Sequence, residues 1–125
     1  MIDPIHTATI NGCPVRFFAS AIPQDLPWVA WPDVLAAVGY GWIKRTSVTR
    51  KLRAAHAGEI VESPTAKGRA VIVPNFMAEA ILWIETRHKH IAPGADADFV
   101  TATQRAHAAA IANHPLAATP AAGSA

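Results

Sequence analysis

Cysteine is almost missing from this chain. Cys13 is the only one in 125 residues, so no internal disulfide can form, and nothing in the thiol content points to an oxidising compartment. Long apolar runs are missing too. No window approaches the ~18 uninterrupted apolar residues of a membrane span. The first residues, MIDPIHTATI, lack the basic start and apolar stretch of a signal peptide. The expectation is a soluble, cytoplasmic chain of bacterial type with no membrane association. No Gly-x-Ser-x-Gly, no phosphate-cradling glycine loop and no His-Glu-x-x-His occurs, so the usual hydrolase, nucleotide and metalloprotease signatures are absent. One local absence stands out. From Val34 through Gly58 there are five Lys or Arg and no Asp or Glu.

What is present fits one domain. Half the residues are hydrophobic, enough for a core, although many are alanines of the last third that bury little area. Eleven Lys/Arg against nine Asp/Glu give a net charge of +2. That sum is too mild to imply nucleic-acid binding, and the distribution of charge matters more.

Ile5 to Ile10 alternates between apolar and polar residues, Asn11-Gly12 supplies the positive φ angles of a type I′ turn, and Val15 to Ala19 follows. This predicts a β-hairpin, with Pro14 at an edge position. Trp28 to Trp31 predicts a short strand. Pro32-Asp33 opens a helix that Gly39 stops. A second helix spans about Ile43 to Ala55. Glu59–Glu62 and Ala70–Val73 predict two strands joined by the turn-rich stretch from Ser63 to Gly68. A third helix runs from Pro74 or Asn75 to about His88, its apolar positions Phe76, Met77, Ala80, Ile81 and Ile84 recurring at helical spacing. Beyond Pro93-Gly94, Asp96 to Asn113 predicts an alanine-rich helix with a thin stripe of Phe99, Val100, Thr103 and Ile111. That stripe leaves room for packing on a partner or for a helix-mediated homodimer. Residues 115–125 are expected to be disordered. The fold class is α+β: a small, mostly antiparallel sheet packed with three helices and an additional C-terminal helix. Its organisation is residues 1–92 as the domain, 93–114 as the extra helix and 115–125 as the tail.

The acid-free stretch becomes a basic helix. With Val48 at the centre of the buried face, Leu52 and Ala55 fall inward at about 100° per residue. Arg45, Thr46, Thr49, Arg50 and Arg53 spread over the opposite arc, while Lys44 and Lys51 flank the stripe and can snorkel. A solvated helix usually mixes signs, because like charges repel. An anion would offset this repulsion, and Arg and Lys with interspersed hydroxyls are a phosphate-contacting set. The opposing reading is a solvated face that happens to be basic. The helix pair around Gly39-Tyr40-Gly41 also matches a helix-turn-helix, with Arg45, Thr49 and Arg50 nearest the bases. Trp42 directly precedes the basic run and suits base stacking or a protein anchor. Core packing is the default for at least two of the four tryptophans.

Other constellations are thin. Glu85 and His88 are three apart on one helical face and His90 is close by. Zinc needs further ligands in defined geometry, so a polar helix C-terminus suited to the dipole is preferred. Cys13 is better read as structural than as a nucleophile. Glu59 and Glu62 point to opposite faces of a predicted strand. No catalytic residue, metal or cofactor is assigned.

The segment Pro27-Trp28-Val29-Ala30-Trp31-Pro32-Asp33-Val34-Leu35-Ala36-Ala37-Val38-Gly39-Tyr40, following the hairpin, resembles the N-terminal domain of phage antirepressors and of the related BRO-type proteins. There a short aromatic strand leads into a helix of pattern D-V-x-x-x-x-G-Y/W. A basic stretch like Trp42 to Leu52 comes next, then a hairpin, then a strand and helix like Val71-Ile72-Val73-Pro74-Asn75-Phe76 onward with Leu82-Trp83. The resemblance covers residues 5–90. It implies a non-enzymatic regulator from a phage or integrated element, with DNA as the expected partner and an acidic, repressor-type protein as the alternative. By the same resemblance Asp33 is the helix-start acid, Gly39 the helix stop and Lys44 to Arg53 the contact surface. Family members often end the last domain helix in arginines, where this chain reads Arg87-His88-Lys89-His90. The resulting candidate surface is Trp42, Lys44, Arg45, Thr49, Arg50, Lys51 and Arg53.

Overall fold

The computed structural model describes residues 1–20, 22 and 25–112. Five strands form one antiparallel sheet in the order β1-β2-β3-β5-β4. They are β1 (His6–Ile10), β2 (Cys13–Phe18), β3 (Trp28–Ala30), β4 (Val61–Thr65) and β5 (Gly68–Val73). Four helices accompany them: α1 (Trp31–Ala37), α2 (Trp42–His56), α3 (Asn75–Arg87) and α4 (Ala95–Ala112). The α+β class and the order of elements are those expected from the sequence. The disorder expected for residues 115–125 lies outside the described residues.

Asn11 and Gly12 turn the first hairpin with φ of 49° and 80°, the two positive values a type I′ turn requires. The register runs from His6 opposite Phe17 to Ile10 opposite Cys13. Asn11 does more than turn the chain. Its Nδ2 donates to the Ala37 carbonyl at 2.8 Å and its Oδ1 accepts from the Ala92 amide at 3.3 Å, which ties the turn to the end of α1 and to the segment before α4. Pro14 is tolerated because β3 pairs β2 only at Phe17 and Phe18, so no strand needs its missing N–H.

Strand alternation sorts the core into two layers. Val15, Phe17, Val29, Val71 and Val73 face the helices, with Val34, Leu35, Leu82 and Phe99 among their partners. Phe18, Trp28, Ala30, Ala70 and Ile72 form a smaller cluster of their own. Trp28 and Trp31 are both buried, one in each cluster. Trp31 opens α1 instead of closing β3, one residue before the expected start at Pro32.

Expected strand boundaries move: β4 begins at Val61, with Glu59 in the helical turn before it and so not on a strand with Glu62, and β5 begins at Gly68 instead of Ala70. Ser63, Pro64 and Thr65 belong to β4 and not to a long turn, and Thr65 pairs with Gly68 across a tight connection. Pro64 fits because β4 is an edge strand. The alanine-rich α4 shares the main core. Phe99 is fully buried and stacks on Phe17 with ring centroids 5.5 Å apart. Asn75 Nδ2 donates to Thr103 Oγ1 at 3.0 Å and to the Pro27 carbonyl at 3.1 Å. Small alanines at 95, 102 and 106 let the helix lie close to the sheet, so a thin stripe suffices.

The end of the short β3 leaves a gap that Asp33 fills. Its Oδ2 accepts the Arg16 backbone N–H at 3.0 Å and Arg16 Nε at 2.8 Å, and its Oδ1 accepts Nη2 at 3.1 Å. Arg16 Nη1 donates to Thr65 Oγ1 at 2.9 Å. The pair is almost fully enclosed and fastens the first hairpin to α1 and to the second hairpin. Asp33 is the helix-start acid, yet no side-chain hydrogen bond caps α1. The far end of α1 closes as expected, with Gly39 at φ 80° and the Tyr40 and Gly39 amides donating to Leu35 and Ala36 carbonyls.

Candidate functional site

α2 stands apart from the compact body. Of its fifteen residues only Leu52 is buried, and Val48 packs at the edge of the main core. It shares little contact with α1, so the close helix pair of a helix-turn-helix is not formed. Leu52, not Val48, is the centre of the inner face, which rotates the helix by about 40° from the expected register. Arg45 then falls within about 20° of that centre and is half-buried, its Nε enclosed without a partner. Thr49 is half-buried as well, while Ala55 is exposed. The expectation that Arg45 and Thr49 point outward and Ala55 inward is therefore corrected. From sequence the inner face centres on Val48, with Leu52 and Ala55 beside it. In the structure Leu52 is buried and Val48 is only partly so.

The outward surface is Trp42, Ile43, Thr46, Arg50, Lys51 and Arg53, with Lys44 at the flank. Trp42 and Ile43 are 75% and 79% exposed. They line an open depression with Lys44, Ser47 and Lys51. Ile43 was not among the residues singled out from sequence. Its signal was there, since it lies opposite Leu52 at helical spacing.

The positive charge is not wholly unopposed. Glu62 of β4 accepts from Arg53 Nη2 at 2.7 Å and from Nε at 3.2 Å, a pairing that sequence spacing did not reveal. Lys44 Nζ sits 4.1 Å from the centroid of the Tyr40 ring, an arrangement favoured by the ring quadrupole. Among the described residues Arg50 and Lys51 make no ion pair. The first turn of α2 holds no acid, and Gly41 provides no side-chain cap. Lys44 and Arg45 thus lie at the positive end of the helix dipole; the Arg45 amide closes the first turn on the Gly41 carbonyl at 2.9 Å, and the amides before it have no acceptor within the helix. An anion at this end would satisfy both.

Next to this start lies a buried carboxylate. Tyr40 OH donates to Glu85 Oε1 at 3.0 Å, and His90 Nδ1 lies 2.7 Å from Glu85 Oε2. Burial pushes Glu85 up, but the hydrogen bonds from His90 and Tyr40, with the electrostatic influence of His90 and Lys44, outweigh it and leave the carboxyl below its ordinary value. Tyr40 is pushed up to about 12, first by burial, then by its hydrogen bond to Glu85 and that group's charge. His88 meets His90 edge to face with centroids 5.8 Å apart. His90 thus holds the second oxygen of Glu85 by a hydrogen bond, and His88 is not drawn to the carboxylate. No group of three or more His, Cys, Asp or Glu among the described residues is arranged to hold a metal ion. Cys13 is half-buried, its thiol 3.7 Å from the Ala36 carbonyl.

The site is thus an exposed, cationic helix with an apolar tip on an α+β scaffold. No protein-family model, curated protein or solved structure matches the chain. No helix among the described residues is long and apolar enough to cross a membrane.

Proposed function

We propose that this chain is a non-enzymatic regulatory module of the phage-antirepressor type, cytoplasmic, that binds DNA through α2. The observation that carries the reading is the electrostatic character of α2: acid-free, uncapped, cationic in its first turn and held to the body by one buried side chain. Glu62 answers only Arg53, and a phosphate backbone would compensate the remaining charge. The resemblance of residues 27–40 to the antirepressor N-terminal domain supports the same reading. The contact set is Trp42, Ile43, Lys44, Thr46, Arg50 and Lys51, with Arg45, Thr49 and Arg53 in positioning roles.

A gel shift at two salt concentrations tests this. With three phosphate contacts, from Lys44, Arg50 and Lys51, the logarithm of affinity should fall with log salt at a slope of roughly −3. Replacing all three by alanine should abolish binding. A salt-independent affinity, or an intact triple variant, refutes the proposal.

The exposure of Trp42 and Ile43 favours a second reading, in which α2 docks on an acidic, repressor-type protein without contacting DNA. Aromatic anchors ringed by charge are characteristic of protein interfaces. This reading predicts no shift with any DNA and a protein complex that Trp42→Ala disrupts.

A further inference from the structure

α3 carries apolar residues on two faces, and the fold uses one. Met77, Ala78 and Leu82 are buried in the main core. On the other side Phe76, Trp83 and Ile84 are 62%, 50% and 44% exposed, with Ala80 exposed between them. At about 100° per residue the four fall within an arc of about 100°. Scattered exposed apolar residues are ordinary, whereas a contiguous stripe marks an interaction surface. The expected core stripe of α3 included Phe76, Ala80 and Ile84, and the structure turns all three outward.

Two charges frame this stripe. Glu79 lies near its start and Arg87 at its end, the Arg87 guanidinium 4.7 Å from the centroid of the Trp83 ring. Neither makes an ion pair among the described residues. Eight residues separate them, about 12 Å along the axis, so they do not meet within one helix.

We infer that this face joins two copies of the chain, α3 against α3, antiparallel about a two-fold axis. The charge pattern selects a second copy as the occupant. An antiparallel crossing centred between Ala80 and Trp83 sets Glu79 within reach of the partner's Arg87, and the two-fold repeats the pair on the other side. One sequence therefore satisfies both free charges. The same crossing sets Ala80 opposite the partner's Trp83, small against large, which permits the usual helix separation of about 8–10 Å. Two short helices bury less than the roughly 800 Å² per partner of a standard interface, so the dimer is weak, with a Kd on the order of 10 μM. The inference is independent of what α2 binds.

Analytical ultracentrifugation of the purified chain, without nucleic acid, over about 1–500 μM (spanning that expected Kd) should show a monomer–dimer equilibrium. Trp83→Asp should weaken it by at least about tenfold. Glu79→Arg and Arg87→Glu should each weaken it, and the two combined in one chain should restore it. All three side chains lie on the surface, and circular dichroism confirms that the variants fold. The variant lacking Lys44, Arg50 and Lys51 should dimerise normally, which separates this inference from the DNA reading. A chain that stays monomeric, a dimer indifferent to Trp83→Asp, or a double reversal that fails to recover overturns it.

Discussion

Replacing Glu85 by glutamine should bring the ionisation of Tyr40 down. In the native protein its hydroxyl is held up to about 12 from the ordinary 10.0, by burial first and then by Glu85. Glutamine keeps the size of the side chain and an oxygen that accepts the Tyr40 hydrogen bond, and it removes the negative charge that a tyrosinate would face. The burial contribution stays, so the expected midpoint lies between 10.0 and about 12. Tyr40 is the only tyrosine in the chain, so tyrosinate absorbance in an alkaline titration reports this one group. The stability consequence follows by linkage. A folded-state value above the unfolded one stabilises the fold fully below pH 10, and the contribution is lost as pH rises towards about 12. Two pH units correspond to at most about 3 kcal/mol, and partial exposure of Tyr40 brings the expected loss nearer 1 kcal/mol. Denaturant unfolding on either side of pH 10 measures it. Glu85 acts in the opposite direction. Its folded carboxyl lies below the ordinary value, so its contribution is present at neutral pH and disappears as pH falls through that lowered value. A native Tyr40 midpoint near 10, or a midpoint unchanged in Glu85→Gln, would refute the reasoning.

Three further substitutions probe the scaffold. Asp33→Ala leaves the enclosed Arg16 without its carboxylate and should cost about 3–5 kcal/mol in denaturant unfolding; the double variant Arg16→Met/Asp33→Leu should recover most of that. Phe99→Ala empties a fully buried site against Phe17 and should destabilise the whole domain by about 3–5 kcal/mol, seen as one cooperative transition at a lower denaturant midpoint. Lys89 closes α3 at φ 60°, a left-handed position where a β-carbon is disfavoured. Lys89→Gly should therefore raise stability by about 0.5–1 kcal/mol once glycine's greater unfolded-state entropy is allowed for.

Local signals in the sequence read well because local physics decides them. Asn11-Gly12 dictates its turn, Gly39 stops α1, and the apolar runs give strands and helices in the observed order. What stayed illegible depends on partners distant along the chain. Arg16 and Thr65 are 49 residues apart, and nothing local to either announces their bond. Glu62 looked like a strand acid without a role, and only the docking of β4 beside α2 gives it to Arg53. The register of α2 failed for a related reason. A helix with one firm anchor has no redundant apolar stripe from which to read its rotation. α3 misled in the opposite way, since it has more apolar positions than one face can bury.

The single anchor of α2 also makes it energetically separable. Burial of Leu52 contributes about 2 kcal/mol, and a lone fifteen-residue helix is marginal in water. Its amides should therefore exchange hydrogen through local opening, well before those of β2 and β5 report global unfolding. A surface that opens on its own can also change on its own. Ile43, Arg50 and Lys51 are all exposed, so the outer face of α2 can drift towards new partners while the sheet, the Arg16–Asp33 clip and α4 keep their stability.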